Sequence, residues 1–270
     1  MPELPEVETT RRGIEPHIIG QTVSRIIVRE PRLRWAVDEN LGDYISGEKI
    51  YLVGRRAKYL FLCTNAGRLM LHLGMSGSLR VLSRRAAPEK HDHMDIEFHS
   101  GIVLRYRDPR RFGSIFWLAG EESHPLINDL GPEPLSGDFS SHYLFDKSRG
   151  RRTSVKALIM NSHVVVGVGN IYANEALFRA GIRPDRLAMR VSIKRYVGLV
   201  EGIKSVLGEA IEAGGTTLQE FFRENGSPGY FKSRLDVYGR SGQPCVTCGL
   251  ALKEIRQVGR STVFCKICQR

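Results

Sequence analysis

The chain has 270 residues, of which 26% are charged and 41% belong to the hydrophobic set. This composition excludes a disordered or collagen-like protein, and the length suffices for one large domain or two medium ones. No apolar run in the sequence is long enough for a transmembrane helix, and the acidic N-terminal segment does not resemble a signal peptide. We therefore expect a cytoplasmic protein with no membrane partner.

The charge balance indicates an anionic partner. Lys and Arg together number 40 and Asp and Glu 29, which leaves a formal net charge of +11. Such an excess is typical of proteins that bind nucleic acid or a membrane surface. A solvated basic surface with no partner is the alternative.

The first half of the chain has the pattern of a helix followed by short strands. Pro5 suits a first helical turn, so a helix is predicted from Pro5 to Ile14, with Leu4, Val7 and Ile14 on one face. From there to about Leu118, β-rich runs alternate with turn residues, which is typical of an all-β sandwich. The predicted strands are Val23–Val28, Ile50–Val53, Tyr59–Cys63, Arg68–His72, Ser78–Leu82, Met94–Phe98, Ile102–Tyr106 and Ser114–Leu118.

The second half of the chain has helical periodicity. One helix is predicted around Ile193–Ile211, where apolar residues recur every three or four positions. Another is predicted over Ile171–Ala180, with Gly181 ending it, and the glycines and proline of 224–230 predict a loop. The fold class expected is therefore α+β and multidomain. Its predicted domains are a β-sandwich domain at 1–130, a helical domain at 131–230 and a cysteine-rich ribbon at 231–270.

Four of the five cysteines have the spacing of a zinc ribbon. Cys245 and Cys248 form one C-x2-C pair, and Cys265 and Cys268 form a second one after 16 intervening residues. Two such pairs bring four thiolates to one point and close a tetrahedral structural site, so one structural Zn²⁺ ion is predicted. The alternatives are two disulfides, against which a cytoplasmic location argues, and two unrelated thioredoxin-like pairs, against which the lack of a βαβ pattern around either pair argues. Cys63 lies in an apolar run and is predicted to be buried in the core.

Two turns carry side chains suited to stacked bases. The segment 105–112 is rich in arginine and ends in Phe112, and the glycine-flanked turn 72–77 presents Met75. Exposed Met and Phe side chains beside arginine can act as wedges between stacked bases. Core packing is the simpler explanation for Met75 or Phe112 taken alone.

Two further turns have features of phosphate-binding sites. Gly259 predicts a hairpin turn in the ribbon that presents Arg260 as a groove or phosphate probe. Gly167 and Gly169 precede a predicted helix, with Asn170 as its N-cap, and the backbone N–H groups beyond it can bind a phosphate. A purely structural ribbon and a helix joint without a ligand are the alternatives.

The N-terminus offers a possible nucleophile. Pro2 follows the initiator methionine, and a small second residue allows that methionine to be removed. An α-amino group titrates near about pH 8, so part of it is neutral at physiological pH and can attack an electrophilic carbon to form an iminium. Glu3 and Glu6 lie within one helical turn and can serve as acid/base groups. A Pro-Glu start alone is too common to indicate catalysis.

Taken together, these residues resemble the bacterial formamidopyrimidine-DNA glycosylases, which excise 8-oxoguanine and ring-opened purines from DNA. The similar segments span the whole chain in the order found in that family, which makes the resemblance more specific than any single motif. They are MPELPEVETTRRGIEPH at the start, RRAKYL at 55–60, HLGMSGSLR at 72–80, DPRRFG at 108–113, VVGVGNIYANEALF at 165–178, GGTTL at 214–218, SPGYF at 227–231 and the two terminal cysteine pairs.

The resemblance implies a fold and an activity. The fold would be an N-terminal β-sandwich with a leading helix, then a C-terminal helical domain with a helix–two-turn–helix element and the zinc ribbon, with DNA in the cleft between them. The activity would be that of a bifunctional DNA glycosylase and AP lyase of base excision repair, acting through a Schiff base on the N-terminal proline and cleaving the strand by β,δ-elimination. The partner would be double-stranded DNA with oxidised bases, bound by a monomer in the bacterial cytoplasm and nucleoid.

The resemblance also implies roles for particular residues. Pro2 would be the nucleophile at C1′ and Glu3 the general acid/base, with Lys58 and Arg260 completing the catalytic set. The residues that fill the gap left by the extruded base would be Met75, Arg110 and Phe112, with Arg110 pairing the orphaned cytosine. The phosphate-binding residues would be His72, Asn170, Tyr238 and Arg260.

Other residues would shape the lesion pocket. Glu6, Tyr172 and Glu175 would lie at or behind the pocket, and the segment between Gly214 and Tyr230 would close over the lesion.

Two other functions compete with this interpretation. The sister branch, endonuclease VIII, removes oxidised pyrimidines, but Leu4 and the set of Met75, Arg110 and Phe112 favour the purine-lesion branch. A non-enzymatic zinc-ribbon DNA-binding protein would explain the charge and the cysteines but not the start at Pro2.

Overall fold

The computed structural model describes residues 2–214 and 235–270, which divide into two compact units. The N-terminal unit comprises residues 2–128, and the C-terminal unit comprises 129–214 together with 235–270. The fold is α+β and multidomain, as predicted. The three predicted domain ranges stay a prediction, because the boundary at 230 lies outside the described residues. No helix in the described part of the chain is long and apolar enough to cross a membrane.

The N-terminal helix α1 spans Leu4–Ile18, one turn longer than predicted. It begins with a capping box, in which the Glu6 carboxylate accepts a hydrogen bond from the Glu3 backbone N–H at 2.7 Å. It continues past Ile14 because Ile18, one turn further on, extends the same buried face. Pro16 lies in this last turn, where its missing N–H removes only one of the final backbone hydrogen bonds of α1.

Eight strands follow α1, each overlapping a predicted strand, and form two four-stranded antiparallel sheets; β2 lies later in the chain than the predicted Ile50–Val53. One sheet has the order β1-β6-β7-β5 and the other β2-β3-β4-β8, which confirms the predicted sandwich. Short helices lie between β1 and β2, at α2 Leu41–Ile45, and after β8, at α3 Pro125–Asn128. The strands are β1 Val23–Val28, β2 Leu52–Arg56, β3 Tyr59–Cys63, β4 Gly67–His72, β5 Ser78–Leu82, β6 Asp92–Phe98, β7 Val103–Arg107 and β8 Ser114–Ala119.

The core of the sandwich lies between the two sheets, where side chains of α1 and of both sheets form one hydrophobic cluster. Strand β6 is buried on both faces, although its sequence alternates apolar and acidic residues. Its outer face is covered by arginines, because Asp95 pairs with Arg29 and Arg105, and Glu97 pairs with arginines of β1 and the β5–β6 segment. Cys63 is buried as predicted, and this burial raises the pKa of its thiol.

The C-terminal unit is built from helices around a second core, with a two-stranded ribbon at its end. Helix α7 confirms the predicted periodicity, since its buried residues recur every three or four positions. The elements are α4 Ser141–Ser148, α5 Val155–Ile159, α6 Asn170–Arg179, a short 3-10 helix Ala188–Arg190, α7 Ile193–Glu212, and the ribbon strands β9 Lys253–Gln257 and β10 Arg260–Phe264.

The prediction that Asn170 is the N-cap of α6 is wrong. Gly169 occupies the N-cap position with an extended backbone, and Asn170 is the first helical residue. The Asn170 side chain does not cap the helix because it is hydrogen-bonded to Lys156 and Ser261 instead.

Candidate functional site

The predicted nucleophile and acid/base group lie at the start of α1. Pro2 is buried, and Glu3 is 2% exposed and occupies the N-cap position. The helix N-terminus carries a partial positive charge, which stabilises a carboxylate placed there. The capping box with Glu6 therefore fixes the backbone that immediately follows Pro2.

Lys58 and His72 lie at neighbouring points of one sheet. Lys58 belongs to the tight turn between β2 and β3, where Ala57 adopts a left-handed backbone with φ of 56°. His72 ends β4 directly opposite Tyr59, and the two rings lie 4.9 Å apart. The Gly74 backbone N–H donates a hydrogen bond to His72 Nδ1 at 3.0 Å. Nδ1 is therefore an acceptor, and in the neutral ring Nε2 carries the proton.

Burial and nearby cations keep His72 neutral. Removal from water lowers the pKa of His72 to about 4, and the positive charges of Lys58 and Arg34 contribute to this shift, against a small opposing effect of Asp108. A neutral ring with a defined Nε2–H donor is suited to hydrogen-bond a phosphate oxygen without itself carrying charge.

This arrangement predicts a pH effect on stability. A histidine whose pKa is lower in the folded than in the unfolded protein stabilises the fold above about pH 6.5, and this stabilisation is lost as the pH falls toward 4. We expect the free energy of unfolding to fall by about 2–3 kcal/mol more in the wild type than in His72→Asn between these pH values. The asparagine keeps an acceptor at the Nδ1 position but does not titrate. Denaturant unfolding across this range is the measurement, and parallel curves would contradict the assignment.

Four of the predicted DNA-contacting side chains line one cavity of about 770 Å³ in the N-terminal unit. Met75 and Phe112 are 39% and 43% exposed, and the Arg110 guanidinium lies 4.7 Å from the centre of the Phe112 ring. His72 lines the same cavity. Its other lining residues are Arg32, Leu33, Arg34, Gly74 and Arg111.

Arg34 is a candidate that the sequence did not single out. Its side chain lines the cavity and stacks on Trp35, and its backbone N–H donates to the Gly113 carbonyl at 3.1 Å. The available signal was the segment 32–35, in which two arginines are followed by a tryptophan. This signal alone does not identify Arg34, because only the folded chain brings this segment beside residues 72–75 and 110–112.

In the C-terminal unit, a buried lysine ties Asn170 to the ribbon. Lys156 is 2% exposed, and its Nζ donates to Asn170 Oδ1 at 2.7 Å and to Thr262 Oγ1 at 2.6 Å. Asn170 Nδ2 in turn donates to the Ser261 carbonyl at 3.1 Å. These bonds place Asn170 beside the strand that begins with the exposed Arg260.

Tyr238 is positioned by the buried carboxylate of Glu175. This carboxylate accepts hydrogen bonds from the backbone N–H groups of Asp236, Val237 and Tyr238 at 2.7–3.0 Å. Burial raises the pKa of Glu175, and the three N–H donors oppose that rise. Glu175 thus fixes the backbone just before the ribbon. Tyr172, one turn earlier on α6, is buried in the helical core.

The four ribbon cysteines fit a zinc ion. Their sulfur atoms lie within 4.8 Å of one another, with 3.9 Å between Cys245 and Cys268 and 3.4 Å between Cys248 and Cys265. Four sulfurs at about 2.3 Å from a tetrahedral centre are about 3.8 Å apart, which matches this cluster. None of the four forms a disulfide. With four protein ligands the site is closed, so its zinc is structural.

The zinc-bound ribbon is anchored to α6 and the residues that follow it. The Val263 backbone N–H donates to Asn174 Oδ1 at 2.8 Å, and Gln269 Nε2 donates to the Ile182 carbonyl at 2.9 Å. At the other end of the ribbon, Val258 and Gly259 form the predicted hairpin turn beside Arg260. The predicted lesion-closing segment between Gly214 and Tyr230 lies outside the described residues.

A β-sandwich with an arginine-lined cavity and a separate helical unit with a zinc ribbon define a zinc-containing, multidomain class of nucleic-acid-binding proteins. Three family models match the chain and refine this class. They are the formamidopyrimidine-DNA glycosylase N-terminal domain at residues 1–115, the formamidopyrimidine-DNA glycosylase H2TH domain at 130–222, and a zinc finger found in FPG and IleRS at 242–270.

Similar proteins cover the chain from end to end. The formamidopyrimidine-DNA glycosylases of Thioalkalivibrio sulfidiphilus and Marinobacter nauticus are 57% and 55% identical, with 100% of both chains covered in each comparison. A crystal structure of the LlFpg protein with a THF-DNA and an inhibitor has a TM-score of 0.92 at 34% identity over 100% of both chains. The MutM (Fpg) protein of Thermus thermophilus has a TM-score of 0.88 at 39% identity, covering 99% of this chain and 98% of that one.

The chain therefore belongs to the formamidopyrimidine-DNA glycosylase family, as a DNA glycosylase and AP lyase of base excision repair. It holds one structural zinc ion through its four ribbon cysteines. The match over residues 1–115 excludes the non-enzymatic zinc-ribbon alternative, which did not explain the start at Pro2 and Glu3.

Proposed function

We propose that this enzyme excises oxidised purines, 8-oxoguanine and formamidopyrimidines, from double-stranded DNA as a monomer in the bacterial cytoplasm and nucleoid. Structures of a relative support the substrate class, since one Lactococcus lactis Fpg complex contains an N7-benzyl-Fapy-dG DNA and another an abasic-site DNA. The observation that carries the proposal is that Met75, Arg110 and Phe112 line one cavity.

The chemistry begins at Pro2. Its neutral secondary amine attacks C1′ of the damaged nucleotide, the glycosidic bond breaks, and its electron pair leaves with the base. Glu3, adjacent in the chain and held at the helix N-terminus, supplies and removes protons during this exchange. The C1′–O4′ bond then breaks and O4′ takes up a proton, which leaves an iminium at C1′ that acidifies the C2′ hydrogens. Loss of a C2′ proton expels the 3′ phosphate, and loss of the C4′ proton from the conjugated product expels the 5′ phosphate.

The cavity residues act on the DNA duplex. A base within a duplex is out of reach of any active-site group, so the enzyme extrudes it at a cost of a few kcal/mol. Met75 and Phe112 present exposed apolar surface that replaces part of the lost stacking. Arg110, held against Phe112, carries the donors that pair with the cytosine left behind.

The remaining residues bind the backbone. In the N-terminal unit, Lys58 contributes charge, and His72 contributes its neutral Nε2–H. In the C-terminal unit, Asn170, Tyr238 and Arg260 bind further phosphates, and their positions depend on the Lys156 and Glu175 contacts. Lys58 and Arg260 also assist the two elimination steps, because their positive charges stabilise the negative charge that develops on the departing phosphates.

The competing substrate class is the oxidised pyrimidines removed by endonuclease VIII. The test is single-turnover cleavage of two duplexes that differ only in the lesion pair, 8-oxoguanine opposite cytosine or an oxidised pyrimidine opposite adenine. We expect the purine lesion to be cleaved at least about tenfold faster, equivalent to about 1.4 kcal/mol in the barrier. Equal or faster cleavage of the pyrimidine lesion would overturn the proposed substrate class.

Replacement of Arg110 by alanine tests the pairing role. A paired arginine contact to a base edge contributes about 1–3 kcal/mol of discrimination, so the preference for cytosine opposite the lesion should fall by about 5- to 100-fold. The measurement is excision of 8-oxoguanine opposite each of the four bases. If overall activity falls while the cytosine preference is unchanged, Arg110 contacts the backbone instead. Arg84→Ala, which changes an exposed arginine of the same unit outside the cavity lining, is the matched control.

A further inference from the structure

Asp108 is a buried carboxylate at the junction of the two gap-filling loops. It follows β7 directly and is 0% exposed. We call residues 73–77 the Met75 loop and residues 108–113 the Arg110 loop. Both loops are short and carry exposed apolar side chains, so each needs a fixed anchor to hold one conformation.

The Asp108 carboxylate bonds to both loops at once. Its Oδ1 accepts from Ser76 Oγ at 2.6 Å and from the Arg110 backbone N–H at 3.2 Å. Its Oδ2 accepts from the Gly113 backbone N–H at 2.8 Å and from the Tyr106 hydroxyl at 3.1 Å. Each gap-filling side chain is therefore on, or directly adjacent to, a residue that donates to this one carboxylate.

The two loops also touch through their backbones. Gly74 has a left-handed backbone, and a Cβ there would lie 2.4 Å from the Phe112 carbonyl carbon. A Cβ at Gly113 would lie 1.9 Å from the Tyr106 hydroxyl oxygen. The backbones of the two loops are therefore packed against each other at Gly74 and Gly113. While both loops stay bonded to Asp108, neither can shift without displacing the other.

The Arg110 loop needs this anchor because its backbone is unfavourable. Arg111 adopts φ of 56°, a left-handed conformation that a non-glycine residue rarely takes. The loop is closed by a hydrogen bond from the Arg111 backbone N–H to the Asp108 carbonyl at 3.1 Å. An ion pair from Arg111 to Glu30 at 3.3 Å holds the same residue from outside.

We propose that Asp108 is a positioning residue for opposite-base discrimination, which locks the Met75 and Arg110 loops into their DNA-ready arrangement before DNA binds. It is too deeply buried to contact the duplex, so it acts through the placement of Met75, Arg110 and Phe112. The inference rests on the proposed function, because it assigns Asp108 to the gap-filling step of that reaction.

The decisive variant is Asp108→Ala, which removes all four acceptor contacts. A displacement of about 1 Å in the groups that position a substrate lowers the reaction rate by up to about 100-fold. We therefore expect the ratio of the excision rate of 8-oxoguanine opposite cytosine to that opposite adenine to fall about tenfold. Asp108→Asn keeps an oxygen for Gly113 and Tyr106, and its amide can donate to Ser76 but cannot accept from the Arg110 N–H, so it should retain part of the ratio that Asp108→Ala loses.

A matched variant separates positioning from stability. Asp95→Ala removes an equally buried carboxylate from the same sheet, where it pairs with Arg29 and Arg105. Both alanine variants should unfold at lower temperature than the wild type, but only Asp108→Ala should change the cytosine-to-adenine ratio. If the two variants give the same ratio as the wild type, Asp108 is purely structural and the inference is overturned.

A milder variant keeps the test decisive if Asp108→Ala does not fold. Ser76→Ala removes the bond that links the Met75 loop to Asp108 and the bond that Ser76 Oγ accepts from the Arg110 backbone N–H at 3.1 Å, and it should lower the ratio at least about threefold, the scale of losing one hydrogen bond. An unchanged ratio in Ser76→Ala would then overturn the inference. Failure of the proposed function is distinct, because in that case the wild type itself would not excise 8-oxoguanine opposite cytosine.

Discussion

Replacement of Pro2 by glycine is expected to reduce excision of 8-oxoguanine by at least about 100-fold, the scale set by loss of a positioned catalytic group. Glycine supplies a primary amine, which differs from the proline nitrogen in basicity and lacks the ring that fixes its direction. Strand cleavage at a preformed abasic site should fall less, since a primary amine still forms a Schiff base with an aldehyde. The measurement is the rate of each reaction under single-turnover conditions.

The control for this prediction is another proline in the same helix start. Pro5 lies within the first turn of α1 and is buried, but it carries no free amine. Pro5→Ala should therefore alter stability more than chemistry. If Pro2→Gly and Pro5→Ala reduce both reactions equally, the loss reflects the fold of the N-terminus and not the nucleophile.

Loss of zinc is expected to abolish tight duplex binding while leaving the sandwich folded. Cys248→Ser removes one of four thiolates, and structural zinc contributes about 10–16 kcal/mol in comparable fingers, so the ribbon should lose its metal and its fold. Arg260 and the Asn170 contacts with β10 would then be displaced. We expect duplex affinity to fall by about 100-fold or more, the sum of two contacts of about 1.5 kcal/mol each.

Two features of the chain make this prediction easy to check. Both tryptophans, Trp35 and Trp117, lie in the N-terminal unit, so their fluorescence reports the sandwich and not the ribbon. Cys63→Ser is the matched cysteine control, since it leaves all four zinc ligands in place. Metal analysis should show one zinc in the wild type and Cys63→Ser and none in Cys248→Ser. Full duplex affinity in a zinc-free protein would contradict the role given to the ribbon.

The strands and the zinc site could be predicted because their signals are local. Short runs rich in apolar residues and bounded by turn residues mark the eight strands of the sandwich. The zinc site could be predicted from the spacing of the cysteines, because it needs only two C-x2-C pairs that come together. The helix around Ile193–Ile211 likewise follows from periodicity alone.

The positioning residues could not be predicted because their partners are distant in sequence. Asp108 binds Ser76, 32 positions away, and Lys156 binds Thr262, 106 positions away. The sequence around a single buried Asp or Lys does not indicate which distant side chains will bind it. Asn170 shows the same limit, because its amide has distant partners that prevent it from capping the helix.

The acidic residues of β6 illustrate a second limit. An alternating apolar and acidic pattern is equally compatible with an exposed polar face and with one covered by arginines. Here Asp95 is 2% exposed because Arg29 and Arg105 cover it. Only the assembled sheet distinguishes the two cases.

The central claim is that the amine of Pro2 forms the covalent bond to DNA. The most direct measurement is borohydride reduction during turnover of an 8-oxoguanine duplex, followed by proteolysis and mass spectrometry of the trapped adduct. We expect the protein to lack its initiator methionine and the modified peptide to begin at Pro2, with the deoxyribose remnant on its nitrogen. An adduct on Lys58 or another lysine, with Pro2 unmodified, would contradict this claim.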